Sequence, residues 1–287
     1  MQAPIVFHHG GFVPHDTAGY GLQDRGVLFA DGVYEVVRYD RGRPFAMRAH
    51  VDRLRRSLDG IGLTAVDAEP FAAWSDELMR RNGLTDGKAY WQVTRGEASR
   101  DFVAPAPPDG PEPTVTLIAY PAEPIAADAP VATGPAYLVD DCRWTRCHIK
   151  SLMLLPASRA KTEAVRRGAV EAVFERAKPG TADRHITEGA STNVFVVADG
   201  VLRTHPDDGW VLGGVTRREM LNLASALGIP TDDSRPFTRG DLLAADEAFV
   251  CSTTQLTAVT SVTAWDDETP RVIGPGTPGM PGTPGPV

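Results

Sequence analysis

Cys147-His148-Ile149-Lys150-Ser151-Leu152-Met153-Leu154-Leu155 sets a lysine among apolar neighbours, and the reading of that stretch decides the fold. The 287-residue chain carries 25 arginines but only four lysines, Lys88, Lys150, Lys161 and Lys178. Three have ordinary settings. Lys88 follows Asp86-Gly87 at the start of a strand, Lys178 precedes Pro179-Gly180 in a turn, and Lys161 stands beside Arg159 and Glu163 on a helix surface. Lys150 differs. An amine in an apolar setting either snorkels or pairs its charge, or it is held as a nucleophile whose pKa desolvation lowers.

The segments around it offer partners for that chemistry. Leu212-Gly213-Gly214-Val215-Thr216 opens the backbone before a helix start, which is either a phosphate cup or a plain threonine N-cap. Ser252-Thr253-Thr254 follows a strand-like run, and its hydroxyls either hold phosphate or make a turn. Glu188, between Ile186-Thr187 and Gly189, is either a site carboxylate or a turn residue. A Schiff-base lysine suggests pyridoxal phosphate. That cofactor needs a carboxylate at its pyridine nitrogen and a cup for its phosphate.

Composition excludes several other classes. Apolar residues at 42% and charged residues at 23% describe a globular chain. A net charge of −8 without a Lys/Arg block argues against nucleic acid. No apolar run approaches the roughly 18 residues of a membrane span, and Met1 to Gly10 has no signal-peptide pattern. Cys142 and Cys147, on a strand, would lie about 17 Å apart, too far to bridge, so a reducing cytoplasm is expected. No metal-ligand spacing is present, so no metal is expected.

Periodicity predicts strands at Val27 to Phe29, Val33 to Tyr39, Lys88 to Thr94, Thr114 to Tyr120, Ala136 to Asp140 and Ala169 to Phe174. Further strands are expected at Thr192 to Val197, Val201 to Thr204, Ala248 to Ser252 and Thr257 to Ala264, with Ala198-Asp199-Gly200 as a hairpin turn. Helices are expected at His50 to Ile61, around Phe71, Trp74 and Leu78, at Ala157 to Arg167, and at Thr216 to Leu227 with Met220, Leu223, Ala224 and Leu227 inward. The pattern reads as two α+β domains, residues 1–122 and 131–287, joined by a Pro-rich linker at 123–130. The Gly-x-Gly-x-x-Gly at Gly274, Gly276 and Gly279 lies in a proline-rich tail where no helix can follow, so it is not a dinucleotide motif.

Six motifs in order resemble one family. They are Tyr34 in Asp31-Gly-Val-Tyr-Glu-Val-Val37, Arg53 in His50-Val-Asp-Arg-Leu54, and Lys150 in Ile149-Lys-Ser-Leu152. Glu188 in Thr187-Glu-Gly-Ala-Ser-Thr-Asn-Val194, Gly214-Val-Thr-Arg217 and Ser252-Thr-Thr254 complete the set. From about Gly11 to Val272 the chain resembles the class IV, fold type IV pyridoxal-phosphate aminotransferases of the D-amino-acid group. The resemblance implies a small N-terminal α/β domain and a larger, β-barrel-like α+β C-terminal domain, with the cofactor between them and two subunits completing each other's sites in a homodimer. It implies that Lys150 is the catalytic, cofactor-bearing base, that Glu188 faces the pyridine nitrogen, and that Arg53 grips the phosphate as a bidentate fork. Val215, Thr216 and Thr253 would complete the phosphate cup. Tyr34, Arg100, Phe102 and Thr254 would face the substrate.

Two departures stand out. The D-amino-acid enzymes carry Arg-x-His after the strand that ends at Val93-Thr94, where this chain has Arg100-Asp101-Phe102. Asp101 is placed to pair with Arg100 and weaken the carboxylate trap. The expected reaction is amino transfer between a D-amino acid such as D-alanine and a 2-oxo acid such as 2-oxoglutarate or pyruvate, with (R)-amines as further candidate donors. Aminodeoxychorismate lyase and branched-chain L-amino-acid aminotransferase share the fold and are the alternatives, and a cofactor-free binding protein is the alternative of another class. The second departure is at the end. In the family a helix usually follows the Gly-rich segment, whereas this sequence stops at Val287.

Overall fold

A computed structural model describes residues 3–104, 110–126, 128–177 and 183–274. The Gly/Pro tail from residue 275 and the Lys178 turn lie outside them. The chain forms two compact units in an α+β fold. One comprises Met1–Ala129 with Ile149–Met153, the other Pro130–His148 with Leu154–Val287.

The first unit contains β1 (Ile5–His8), β2 (Gly11–Pro14), α1 (Arg25–Phe29), β3 (Gly32–Asp40), β4 (Arg43–Pro44), α2 (Met47–Gly60), α3 (Pro70–Arg81), β5 (Gly87–Thr94) and β6 (Thr114–Pro121). Its antiparallel sheet runs β2-β1-β6-β5-β3-β4. Side chains alternate across the pleat. Val33, Val37, Ala89, Trp91, Val93 and Leu117 are buried. Trp91 packs on Phe71 of α3, and its indole N–H donates to Ser75 Oγ at 2.6 Å. The intervening residues Tyr34, Gln92, Thr116 and His8 stand in one cross-strand row on the other face.

Two expectations fail in this unit. Val27 to Phe29 belongs to a short helix instead of a strand. Asp24 caps it by accepting the Gly26 N–H at 2.7 Å, and Ala30 ends it in the left-handed region at φ 55°. Three apolar residues are too short a run for periodicity to separate the two states. Lys150, expected with the C-terminal half, packs with the first unit because its pentapeptide bonds to β3.

The second unit contains β7 (Ala132–Asp140), α4 (Leu155–Arg166), β8 (Glu171–Ala177), β9 (Arg184–Gly189), β10 (Asn193–Ala198), β11 (Val201–Thr204), α5 (Val215–Ala226), β12 (Thr231–Asp232), α6 (Arg239–Ala244), β13 (Glu247–Ser252), β14 (Gln255–Ala264) and β15 (Asp267–Val272). The sheet order is β12-β11-β10-β13-β14-β7-β8-β9, with β15 also on β14. The β14–β7, β7–β8 and β11–β12 pairs are parallel. The β10–β11 hairpin turns at Asp199 and Gly200, both at positive φ, as its sequence predicts.

α5 packs through Ala224, Met220 and Leu221 against the stacked Phe195 and Phe249 rings. Leu223 and Leu227, expected inward, are 52% and 65% exposed. Lys161 is more than a surface residue. Its Nζ donates to the Val170 carbonyl at 2.5 Å and to buried Glu171 at 3.0 Å.

Candidate active site

Lys150 is held by its backbone. Its carbonyl accepts the Tyr34 N–H at 2.9 Å, its own N–H donates to Ser57 Oγ of α2 at 3.1 Å, and the Leu152 N–H donates to the Gly32 carbonyl at 3.0 Å. The pentapeptide thus lies antiparallel to the start of β3. Gly32 is required for this approach, because a Cβ there would stand 2.5 Å from the Val93 carbonyl oxygen and 2.8 Å from Leu152 Cδ1. The half-buried Lys150 side chain places Nζ 4.2 Å from the centre of the Tyr34 ring. The apolar setting read from the sequence is partial. Ile149 is buried, while Met153 and Leu155 are exposed.

Arg53 and His50 lie one turn apart on the face of α2 that meets β3, where Glu35 is buried. Arg53 Nε and Nη2 donate to the two Glu35 carboxylate oxygens at 2.6 and 2.9 Å, and His50 Nδ1 meets Oε2 at 2.8 Å. Burial works against the charged form of Glu35, but the Arg53 guanidinium, helped by His50, outweighs it and holds the carboxyl well below the usual range. The expected bidentate grip of Arg53 on phosphate is therefore not available from its Nε/Nη2 edge, which Glu35 takes.

In the second unit Glu188 sits on β9, not in a turn, and is buried. Arg143 Nη1 donates to Oε1 at 2.5 Å, and Oε2 accepts the Leu212 N–H at 2.9 Å and Asn193 Nδ2 at 3.2 Å. Arg143 also forms a bidentate pair with Asp141, both contacts at 2.9 Å, and lies 4.3 Å over the Phe174 ring. Arg176 Nη2 also meets Asp141 Oδ1 at 2.9 Å. Two guanidiniums thus balance two buried carboxylates. Burial raises the pKa of Glu188 and Arg143 opposes the rise. Nothing local in the sequence marks Arg143, which lies 45 positions from its partner.

Asn193 joins this carboxylate to the glycine loop, since its Nδ2 also donates to the Leu212 carbonyl at 2.9 Å. A Cβ at Gly214 would stand 1.9 Å from Asn193 Oδ1, so any other residue forces the Asn193 amide to move. Gly214 is the N-cap of α5 and no side chain caps the helix. Thr216 is therefore the second helical residue, not the cap, and its Oγ1 is buried without a hydrogen-bond partner among the described residues. An uncapped helix start with an unpartnered buried hydroxyl suits an anion such as phosphate. Thr253 is half-buried in the β13–β14 turn, and Thr254 beside it is exposed.

Arg100 and Phe102 go elsewhere. Phe102 is 83% exposed, with its ring centre 5.6 Å from that of Phe29 of α1, and the Arg100 guanidinium lies 5.7 Å from the same ring. Neither makes a ring contact or hydrogen bond with Tyr34 or Lys150 among the described residues. Asp101 does not pair with Arg100. It accepts the Val103 N–H at 3.0 Å, and its carbonyl accepts from Arg25 at 2.7 Å.

These groups sit on a chain whose residues 32–265 match the family model described as amino-transferase class IV. The chain belongs to the class IV aminotransferase family. It is 38% identical over 261 residues to a D-alanine aminotransferase of Listeria monocytogenes, covering 90% of this chain and 86% of the relative. A D-alanine aminotransferase of Bacillus licheniformis is 37% identical over 276 residues, 96% and 92% of the two chains. Among solved structures, a branched-chain aminotransferase of Thermoproteus uzoniensis superposes with a TM-score of 0.77 at 27% identity, covering 95% of this chain and 90% of that one. An aminotransferase takes small amino and oxo compounds as substrates. Among the described residues, no helix is long and apolar enough to cross a membrane.

Proposed function

We propose that this class IV aminotransferase transfers amino groups between D-amino acids such as D-alanine and 2-oxo acids such as 2-oxoglutarate or pyruvate, with pyridoxal phosphate as cofactor. The observation that carries the cofactor is Thr216 Oγ1, buried and unpartnered at the uncapped start of α5. With the Val215 and Thr216 N–H groups and the Thr253 hydroxyl, it would hold a phosphate. Arg53, oriented by Glu35, is the guanidinium that the family resemblance assigns to the phosphate. Glu188, paired with Arg143, would face a protonated ring nitrogen. Bound pyridoxal phosphate supplies the electron sink that makes the substrate Cα–H acidic. Lys150 Nζ then takes and returns that proton, and the Tyr34 ring orients the amine. Tyr34 and Thr254 would meet the substrate carboxylate.

D-amino-acid specificity is supported by the 36–38% identity to D-alanine aminotransferases, against 25–27% for the branched-chain enzymes. A homodimer is supported by an exposed apolar set in the first unit, Leu22, Val27, Phe102 and Val103, at 90%, 62%, 83% and 74% exposure. Such a partner surface would also give Arg100 and Phe102 their substrate role. Three free cysteines suit a cytoplasmic setting.

The deciding experiment is spectroscopic. Purified protein incubated with pyridoxal phosphate should turn yellow, be bleached by D-alanine, and lose the band in Lys150→Ala. A colourless protein that cannot be loaded overturns the reading. Turnover of L-leucine in preference to D-alanine, or pyruvate release from aminodeoxychorismate, replaces the substrate assignment.

A further inference from the structure

The row Tyr34, Gln92, Thr116 and His8 crosses four strands at one register, and two more tyrosines link Gln92, Thr116 and His8 into a single hydrogen-bonded chain beside Tyr34. Tyr90 Oη donates to Gln92 Oε1 at 2.6 Å. Gln92 Nε2 donates to Tyr20 Oη at 2.9 Å, and Tyr20 Oη to Thr116 Oγ1 at 2.8 Å. Thr116 Oγ1 meets His8 Nδ1 at 2.9 Å, and His8 Nε2 meets the Gly19 carbonyl at 3.0 Å.

The far end sets the direction. A carbonyl oxygen only accepts, so His8 Nε2 carries a hydrogen. Neutral His8 then accepts at Nδ1, Thr116 gives its proton to the ring, and each group upstream donates the same way. The amide of Gln92 presents its oxygen to Tyr90. The Tyr90 proton is thus engaged inside the chain, although its ring centre lies only 5.8 Å from that of Tyr34, where Lys150 Nζ sits.

We propose that Gln92 is a positioning residue for the Tyr34–Lys150 cluster, and that His8, through Thr116 and Tyr20, sets which way its amide faces. When His8 takes a proton, Nδ1–H donates to Thr116. Thr116 then donates to Tyr20 and Tyr20 to the flipped Gln92 oxygen. Gln92 Nε2 donates to Tyr90 Oη, whose own proton turns out of the chain. No covalent bond breaks, and one added proton reverses the whole row. The outward hydroxyl becomes a donor for an anionic substrate group.

The groups that face His8 are the His9 ring at 4.4 Å, the Tyr20 ring at 5.8 Å, the Gly19 carbonyl and, through space, Asp24. Burial and His9 lower its pKa while Gly19 and Asp24 oppose them, so the reversal falls below the ordinary histidine value.

Only the kinetic arm of the test rests on the aminotransferase reading. In cofactor-free protein, long-range ¹⁵N spectra should show His8 as the Nε2–H tautomer at pH 8, and the Gln92 side-chain amide should shift as His8 titrates. The amide shift should vanish in His8→Asn, which keeps a polar side chain but does not titrate. An Nδ1–H tautomer at pH 8, or an unchanged amide shift in the variant, overturns the proposal whether or not the protein is active. In the loaded enzyme, KM for D-alanine should fall roughly tenfold from pH 8 to pH 5.5, the scale of one hydrogen bond to a charged group. His8→Asn and Gln92→Leu should both remove that step. A step that survives in both variants refutes the positioning role, while a protein with no transamination refutes only the proposed function.

Discussion

Replacing Arg143 by methionine keeps an aliphatic stem but removes the guanidinium that lies over Phe174 and between Asp141 and Glu188. Asp141 retains Arg176 at 2.9 Å and Thr187 at 3.2 Å. Among the described residues Glu188 retains only the Leu212 N–H and Asn193, with no cation. Breaking a buried pair on one side costs about 3–5 kcal/mol. At about 2–4 °C per kcal/mol for a chain region of this size, Tm should fall by roughly 10 °C at pH 8. Glu188 can escape by taking a proton. Its folded pKa, already raised by burial, rises further once Arg143 no longer opposes it. A folded pKa above the unfolded one contributes stability that is full below the unfolded value and is lost as pH rises through the folded value. Wild type and Arg143→Met lose this stability in turn, so the gap should widen with pH by up to about 1.4 kcal/mol per unit only between the folded pKa of the wild type and the higher one of the variant, and stay level outside that window. Thermal melts of cofactor-free protein at half-unit steps from pH 5 to 8 measure this. A gap smaller than about 1 kcal/mol at every pH, or one that narrows as pH rises, would falsify the assignment of Arg143 as the counter-charge of Glu188.

Three further outcomes follow from other residues. Glu35→Gln should lower Tm at neutral pH by a similar amount. Because the Glu35 pKa is depressed, its contribution is present above the unfolded value and lost on acidification, so the variant's melting curve should flatten on the acid side. Gly214→Ala forces a Cβ against Asn193 Oδ1, and equilibrium titration should show pyridoxal phosphate binding weakened at least about tenfold, the effect of losing one good hydrogen bond to a charged group. Phe102→His restores the pattern of the D-amino-acid enzymes, and steady-state assays should show a lower KM for D-alanine; an unchanged KM means that Phe102 lies outside the substrate site.

Long periodic elements were legible in the sequence. α2 buries Val51, Leu54 and Leu58 and α3 buries Phe71 and Leu78, as their spacing selects, and β3, β5 and β6 form where β-branched and aromatic residues predict strands. Short or context-dependent features were not. Val27-Leu28-Phe29 is too brief to show a period, and its outcome rests on Asp24 and Ala30 at its ends. Leu223 and Leu227 lie at helical spacing but on the exposed side, because Phe195 and Phe249 meet α5 elsewhere. Among the candidate site residues, order and type pick out Lys150, Glu188, Arg53 and Thr216. The groups that set their charge, Arg143 and Glu35, were missed, since ion pairs between distant positions leave no local pattern. Lys161 was misjudged for the same reason: Glu171 enters only through the β8 strand.

The membership of Ile149–Met153 in the first unit bears on how the protein is made. Tyr34 and Gly32 emerge from the ribosome more than a hundred residues before Lys150 and Leu152, which complete their hydrogen bonds. The first unit therefore cannot finish folding during its own synthesis. A truncated fragment ending at Ala129 would leave the Tyr34 N–H and Ser57 Oγ without the partners they have here. Lys150 is thus also a closing stitch. The chain gains the proposed catalytic amine and a finished N-terminal unit in the same late step, so a nascent chain that stalls before it lacks both.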